Sequence, residues 1–224
     1  MATGSTVRKL SESDDLRVPP SLATTQVMEY SVKAGCGLFL IPEPVTCFRD
    51  ASYKQIQRFH LEDSTASLVL VDSITSGRQA LGEDWDLETY YSLNEVRIGK
   101  KLIAKDVLSL QDRESASPSS RIPHRPLRER LSPYSCYAMV LLYGPEVEET
   151  IRDIEEQYSH LTVYQMRKPL DCLWSFSLLG QSAKDGGIVR VAGKETETVR
   201  ALLRVILRRI VVSIGIDTYQ RAFA

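Results

Sequence analysis

Three histidines and four cysteines are few for a chain of 224 residues, and none of them falls in a pattern that makes a site. Cys36, Cys47, Cys136 and Cys172 contain no C-x-x-C pair, which excludes a thioredoxin-type redox motif and leaves no disulfide framework of the secreted kind. His60, His124 and His160 are far apart and form no H-E-x-x-H, so no tight metal site is expected. There is no G-x-S-x-G, and no cysteine has a histidine beside it in the sequence, so nothing assembles a nucleophile and its base. Neither charge sign is in excess: 28 basic against 29 acidic residues leave a net charge of -1, which argues against nucleic acid or an anionic membrane as the main partner. Nor does any apolar run approach the roughly 18–20 residues of a membrane span, since "LLRVILRRIVVSIGI" is broken by its arginines. Met1 is followed by the polar "ATGSTVRKLSESDDLR" rather than by a signal sequence, so the reading is of a soluble protein in a reducing, cytoplasmic setting.

The chain is rich instead in short strand-like segments. Residues 1–21 are polar, end in Pro19-Pro20 and read as a disordered lead-in. Over residues 22–110, "VMEYSV", "GLFLI", "KQIQRFHL", "ASLVLVDSI", "ETYYSLNEVRI" and "KKLIAKDVLSL" carry alternating or branched apolar residues between turn signals. Many strands in succession without helices between them point to a solenoid, sandwich or barrel rather than a doubly wound α/β fold. Residues 111–133, rich in Ser, Pro and Arg, read as a loop or insertion. Residues 134–224 read as an α+β tail. "YSCYAMVLLY", "LWSFSLLG" and "GGIVRVAG" are its strands. One helix follows Gly144-Pro145, with Val147, Ile151, Ile154, Tyr158 and Leu161 on one face; a second runs from about Lys194 to Ser213 and stops at Gly215.

Four features invite a functional reading. Pro42-Glu43-Pro44 interrupts an apolar run, and prolines there must lie on an edge, at a corner or between two strands. "GRQALGED" has phosphate-loop glycines, Gly77 and Gly82, but ends in Glu83-Asp84 where a lysine should neutralise phosphate, so it reads as a turn. Asp72, Glu83, Glu95 and Asp106 sit in or beside buried strands and need partners; Arg78 is the nearest cation in sequence to Asp72. Such acids either pin a turn or line a polar path that suits a divalent cation without trapping it. Arg200, Arg204 and Arg208 form an i, i+4, i+8 stripe, either a solvated face or a partner contact.

"QVMEYSVKAGCGLFLIPEPVTCFRDASYKQ", "DSITSGRQALGEDW" and "YYSLNEVRIGKKLIAKD", in that order, resemble the core of the urease accessory protein D family, UreD or UreH, and the later "SPYSCYAMVLLYGP" and "VRVAGKETETVRALL" resemble its eukaryotic, fungal-like members. The resemblance spans roughly residues 24–224. It implies a mainly β fold, a β-helix-like stack of strands ending in two α-helices, in which Pro42, Glu43, Pro44 and the following Phe48 mark a corner between β layers. It also implies a non-enzyme that scaffolds a complex with UreF and the GTPase UreG on apo-urease and passes nickel toward the urease active site. Matched residue by residue, Asp72, Arg78, Glu83 and Asp106 become candidates for a nickel passage, with nickel in transit rather than tightly bound. Residues 1–21 have no counterpart to the longer N-terminal β portion with which the family begins, so an N-terminally shortened member is expected. An interaction module without a metal role, binding through Arg200, Arg204 and Arg208, is the competing reading.

Overall fold

The computed structural model describes residues 23–111, 125–161 and 170–223; the lead-in and most of the predicted 111–133 loop lie outside them. The described residues form ten strands and five α-helices: β1 (Thr24–Val32), β2 (Gly37–Leu40), β3 (Val45–Thr46), β4 (Ser52–Leu61), β5 (Ser67–Thr75), β6 (Thr89–Ile98), β7 (Lys101–Gln111), α1 (Leu127–Leu131), β8 (Cys136–Tyr143), α2 (Glu148–Ser159), β9 (Cys172–Leu178), β10 (Gly187–Gly193), α3 (Thr196–Ile206), α4 (Val211–Ile214) and α5 (Ile216–Ala222). Each strand-like segment of the sequence forms a strand, because its branched and aromatic residues suit a pleated backbone that puts at least one face against a hydrophobic cluster.

The strands make two open mixed sheets, one ordered β1-β4-β6-β7 and the other β2-β5-β8-β10-β9, with β3 also paired to β5. From β1 to β6 the chain passes back and forth between the sheets, and the resulting neighbours β1-β4, β4-β6, β2-β5 and β3-β5 are parallel. The antiparallel hairpin β6-β7 and the pairing of β8 with β5 follow. Three layers result: the four-stranded sheet, the larger sheet, and the helices.

Two hydrophobic clusters fill the space between the sheets. One gathers Phe59, Leu61, Leu68, Leu70, Val96 and Leu141; the other gathers Cys47, Ile74, Trp85, Tyr90, Leu110 and Leu127. A third joins the opposite face of the larger sheet, through Val69, Val71, Val140, Leu142 and Val189, to Ile151 and Ile154 of α2 and to Val199, Leu203 and Ile206 of α3. The strand β5 feeds both sides, which is why its sequence reads as an unbroken apolar run.

Four sequence readings are corrected. Residues 127–131 are helix rather than loop, because Leu127 is fully buried in an interlayer cluster. The helix after Gly144-Pro145 ends at Ser159, so Leu161 lies beyond it and is exposed. The predicted Lys194–Ser213 helix breaks after Ile206 into a 3₁₀ turn and α4, and a further helix, α5, follows Gly215. Pro42-Glu43-Pro44 is not a corner between layers: it splits one edge strand into β2 and β3, both paired to β5 in the same sheet. Leu40 to Val45 takes five residue steps where their partners Leu70 and Ile74 are four apart, so the segment carries one extra residue, a bulge on the edge where prolines cost no ladder bond.

Candidate functional site

Alternation along β5 turns Leu68, Leu70, Asp72 and Ile74 toward the four-stranded sheet. Asp72 thus falls between the two interlayer apolar clusters, where the facing strands supply polar residues. The Gln55 amide donates to Asp72 Oδ1 at 3.2 Å, and Ser92 Oγ and Asn94 Nδ2 both donate to Oδ2 at 2.6 Å. All four side chains are buried, and Asp72 forms no ion pair among the described residues. Three neutral donors therefore replace the water a carboxylate would otherwise hold. Asn94 gives its amide protons to Asp72, and its buried Oδ1 has no hydrogen-bond partner. A carboxylate and an orphan amide oxygen thus stand side by side. The nearby Tyr90 hydroxyl is pushed well above the usual phenol range by burial and by the charge of Asp72, so it stays neutral.

Asp106 on β7 reaches the same place from the sheet edge. Its side chain is 13% exposed and accepts a charge-assisted hydrogen bond from Arg190 on β10, so that an ion pair ties the two sheets together across 84 residues of sequence. A cavity of about 160 Å³ opens between them, lined by Asp72, Tyr90, Asp106, Tyr137, Met139 and Arg190 among others. Two of the four passage candidates therefore line one cavity.

Arg78 and Glu83 do not join them. The Arg78 guanidinium donates to Glu83 through Nε at 2.9 Å and Nη2 at 2.6 Å, and it stacks over Phe48 at 4.2 Å from the ring centre. Arg78 thus answers Glu83 rather than Asp72, and the pair clamps the turn after β5. Gly77, with φ of 122°, and Gly82, with φ of 76°, make that turn possible around a single 3₁₀ turn at Gln79–Leu81. Hydrogen bonds from Arg78 hold the Glu83 carboxyl below the usual carboxylate range. With β6 and no helix following, the turn also lacks the phosphate loop's architecture.

The arginine stripe is divided among internal partners. Arg200 pairs with Glu43, which fastens the Pro42-Glu43-Pro44 bulge to α3. Arg208 lies past the helix end and, with Arg209, holds Asp153 of α2 at 3.3 and 3.2 Å. Arg204 contributes its carbonyl, which accepts from the Tyr219 hydroxyl. Burial pushes the Cys47 and Cys136 thiols up to about 11, which disfavours the thiolate a metal would need. No cluster of three or more His, Cys, Asp or Glu suited to holding a metal occurs among the described residues.

Gln55, Ser92, Asn94 and Arg190 were not singled out in the sequence. A signal for the first three was present: Gln55 shares its strand phase with the buried Phe59 and Leu61, and Ser92 and Asn94 share theirs with the buried Val96. Polar residues in the inward phase mark a polar layer within the core. Arg190 had no such signal, since its partner lies on a strand of the other sheet.

The chain matches the family described as UreD urease accessory protein over residues 8–218. It is 33% identical over 204 residues to urease accessory protein D of Arabidopsis thaliana, covering 82% of this chain and 65% of that protein. It is 32% identical over 190 residues to urease accessory protein 4 of Cryptococcus neoformans var. grubii, covering 82% and 58%. With urease accessory protein UreD of Sorangium cellulosum the identity is 30% over 201 residues, covering 89% and 58%. The chain thus spans between 58% and 65% of the length of these curated relatives. With the match extending over most of its length, the chain belongs to the UreD urease accessory protein family.

Proposed function

We propose that this chain acts in urease maturation as a non-catalytic scaffold that assembles with UreF and the GTPase UreG on apo-urease in the cytoplasm and helps pass nickel to the urease active site. Family membership supports the role in maturation. The observation that carries the nickel reading is the convergence of Asp72 and Asp106 on one interlayer cavity beside the unpartnered Asn94 Oδ1. Oxygen donors without a thiolate or imidazole cluster suit a divalent cation in transit, because late first-row metals bind nitrogen and sulfur more tightly. In this reading Asp72 and Asp106, which line the cavity, offer oxygens to the ion, with Asn94 bonded to Asp72 beside it and Arg190 holding Asp106 Oδ1, while Arg78 and Glu83 keep the neighbouring turn in shape. The back-and-forth course of β1 to β6 is read as part of a β-helix-like stack. The competing module built on Arg200, Arg204 and Arg208 gains no support, because Arg200 and Arg208 already pair within the fold.

The test is activation of urease in cells that carry the urease and UreF and UreG genes but lack their own UreD. The wild-type chain is expected to restore nickel-dependent activity, and Asp72→Asn or Asp106→Asn to lower it about tenfold or more while pull-down of the partners persists. Asp72→Asn preserves shape, and Asn94 can turn its free Oδ1 toward the new amide, so the fold tolerates the change. Full activation by both variants would remove the passage from the proposal, and failure of the wild-type chain to capture any partner would remove the scaffold.

A further inference from the structure

The outward face of the four-stranded sheet adds nothing to the three hydrophobic clusters of described residues, although Val27 at its β1 end is itself buried, 7% exposed. Val27, Ile56, Leu93 and Val107 belong to none of the three hydrophobic clusters of described residues. Strand register nevertheless places them side by side, Val27 opposite Ile56, Ile56 opposite Leu93, and Leu93 opposite Val107. Two residues along the same strands, on the same face, the registers align Glu29, Arg58, Glu95 and Lys105. An apolar row and a row of alternating charge thus cross all four strands in parallel. The charge row is coupled, as Arg58 lies 3.4 Å from Glu29 and the Glu95 carboxyl is lowered by Arg97 first, then by Arg58 and Lys105.

A row reading minus, plus, minus, plus becomes its own complement when reversed end for end. A two-fold axis parallel to the strands, between β4 and β6, performs that reversal: it lays β1 of one copy over β7 of the other. Glu29 then faces Lys105 of the second copy, Arg58 faces Glu95, and the half-buried Ile56 of each copy meets Leu93 of the other at the centre, with Val107 over the β1 end where Val27 is already buried. We propose that this face docks a second copy of the chain through an isologous sheet-on-sheet contact. Four strands about 4.8 Å apart and about ten residues long present on the order of 600 Å² per copy, or about 1,200 Å² in all, the lower end of a standard specific interface. Val107, 47% exposed, offers apolar surface at the rim, and the Glu29 side chain, 56% exposed, is open to a partner.

Sedimentation of the purified full chain tests this. The wild type is expected to dimerise with a Kd of roughly micromolar order, and less tightly at high salt because the charge row is screened. Lys105→Glu and Glu29→Lys should each sediment as monomers. An equimolar mixture of the two should dimerise, since each repairs the other's mismatch across the axis, and the double variant carrying both changes should dimerise alone. Recovery in the mixture also shows that the single variants are folded. Val107→Glu should be monomeric, with Val212→Glu on α4 as a dimeric control. A wild type monomeric up to about 100 μM, a dimer that survives Lys105→Glu and Val107→Glu, or a mixture that fails to recover would each overturn the proposal.

Discussion

Asp72 illustrates how one residue can be costly to the fold and still be kept within it. A buried carboxylate needs a full set of donors, and Gln55, Ser92 and Asn94 supply them without neutralising its charge. Glu83 shows the opposite arrangement: clamped by Arg78, it is a structural acid with a depressed pKa. A carboxyl lowered in the folded state contributes stability above its unfolded pKa of about 4.3 and loses it as the pH falls through the folded value. Glu83→Gln should therefore lower the thermal midpoint at pH 7, and the difference from wild type should shrink below about pH 4. Thermal melts across pH check this, and a difference independent of pH would assign the effect to packing instead. Which acid belonged to which class was not legible in the sequence, because Arg78 stands close to both along the chain and only the turn's geometry chose Glu83.

At the level of elements, the apolar period proved a sound guide to each strand and a poorer guide to where helices end. Val199, Leu203 and Ile206 bury one face of α3, and the period continues to Ile210, which is also buried. Yet the backbone changes to a 3₁₀ turn after Ile206, which lets Arg208 and Arg209 reach Asp153 on α2. On α2 the fully buried Ile151 and Ile154 anchor the helix layer to the larger sheet. Ile151→Ala is expected to destabilise the chain by about 2–5 kcal/mol, read from denaturant unfolding. Gly144, before α2, has φ of 101° and would place a β-carbon 2.3 Å from the Ala66 carbonyl oxygen. Gly144→Ala should therefore lower the denaturation midpoint even though alanine favours helix, because the obstacle is backbone that cannot turn away. A neutral result in the same unfolding assay would show that the connection can shift.

For the whole molecule, the decisive event is the pairing of β5 with β8, which joins the first β region to the later α+β part in one sheet. That pairing gives β5 two buried faces and places Asp72 between sheets rather than on a surface. It also brings Arg190 on β10 to Asp106 on β7, and so shapes the cavity. The helix layer covers the larger sheet on one side while the outer face of the smaller sheet stays outside the three hydrophobic clusters of described residues. The self-association expected of that face belongs to this scale, since no single strand carries the charge pattern on which it rests.

By itself the sequence determined the strand segments, the mainly β character, the helical tail and the family, because these rest on periods and motifs a few residues long. For Pro42 and Pro44 it allowed an edge, a corner or a break between strands, as proline's missing donor requires, and the structure chose the edge. Only the tertiary structure decided the division into two mixed sheets, the meeting of Asp72 with Asp106, the choice of Glu83 for Arg78, and the tie between Glu43 and Arg200. The physical reason is common to all four. Each depends on which strand or helix lies beside another, and that is set by burying apolar faces across long sequence separations rather than by any local preference.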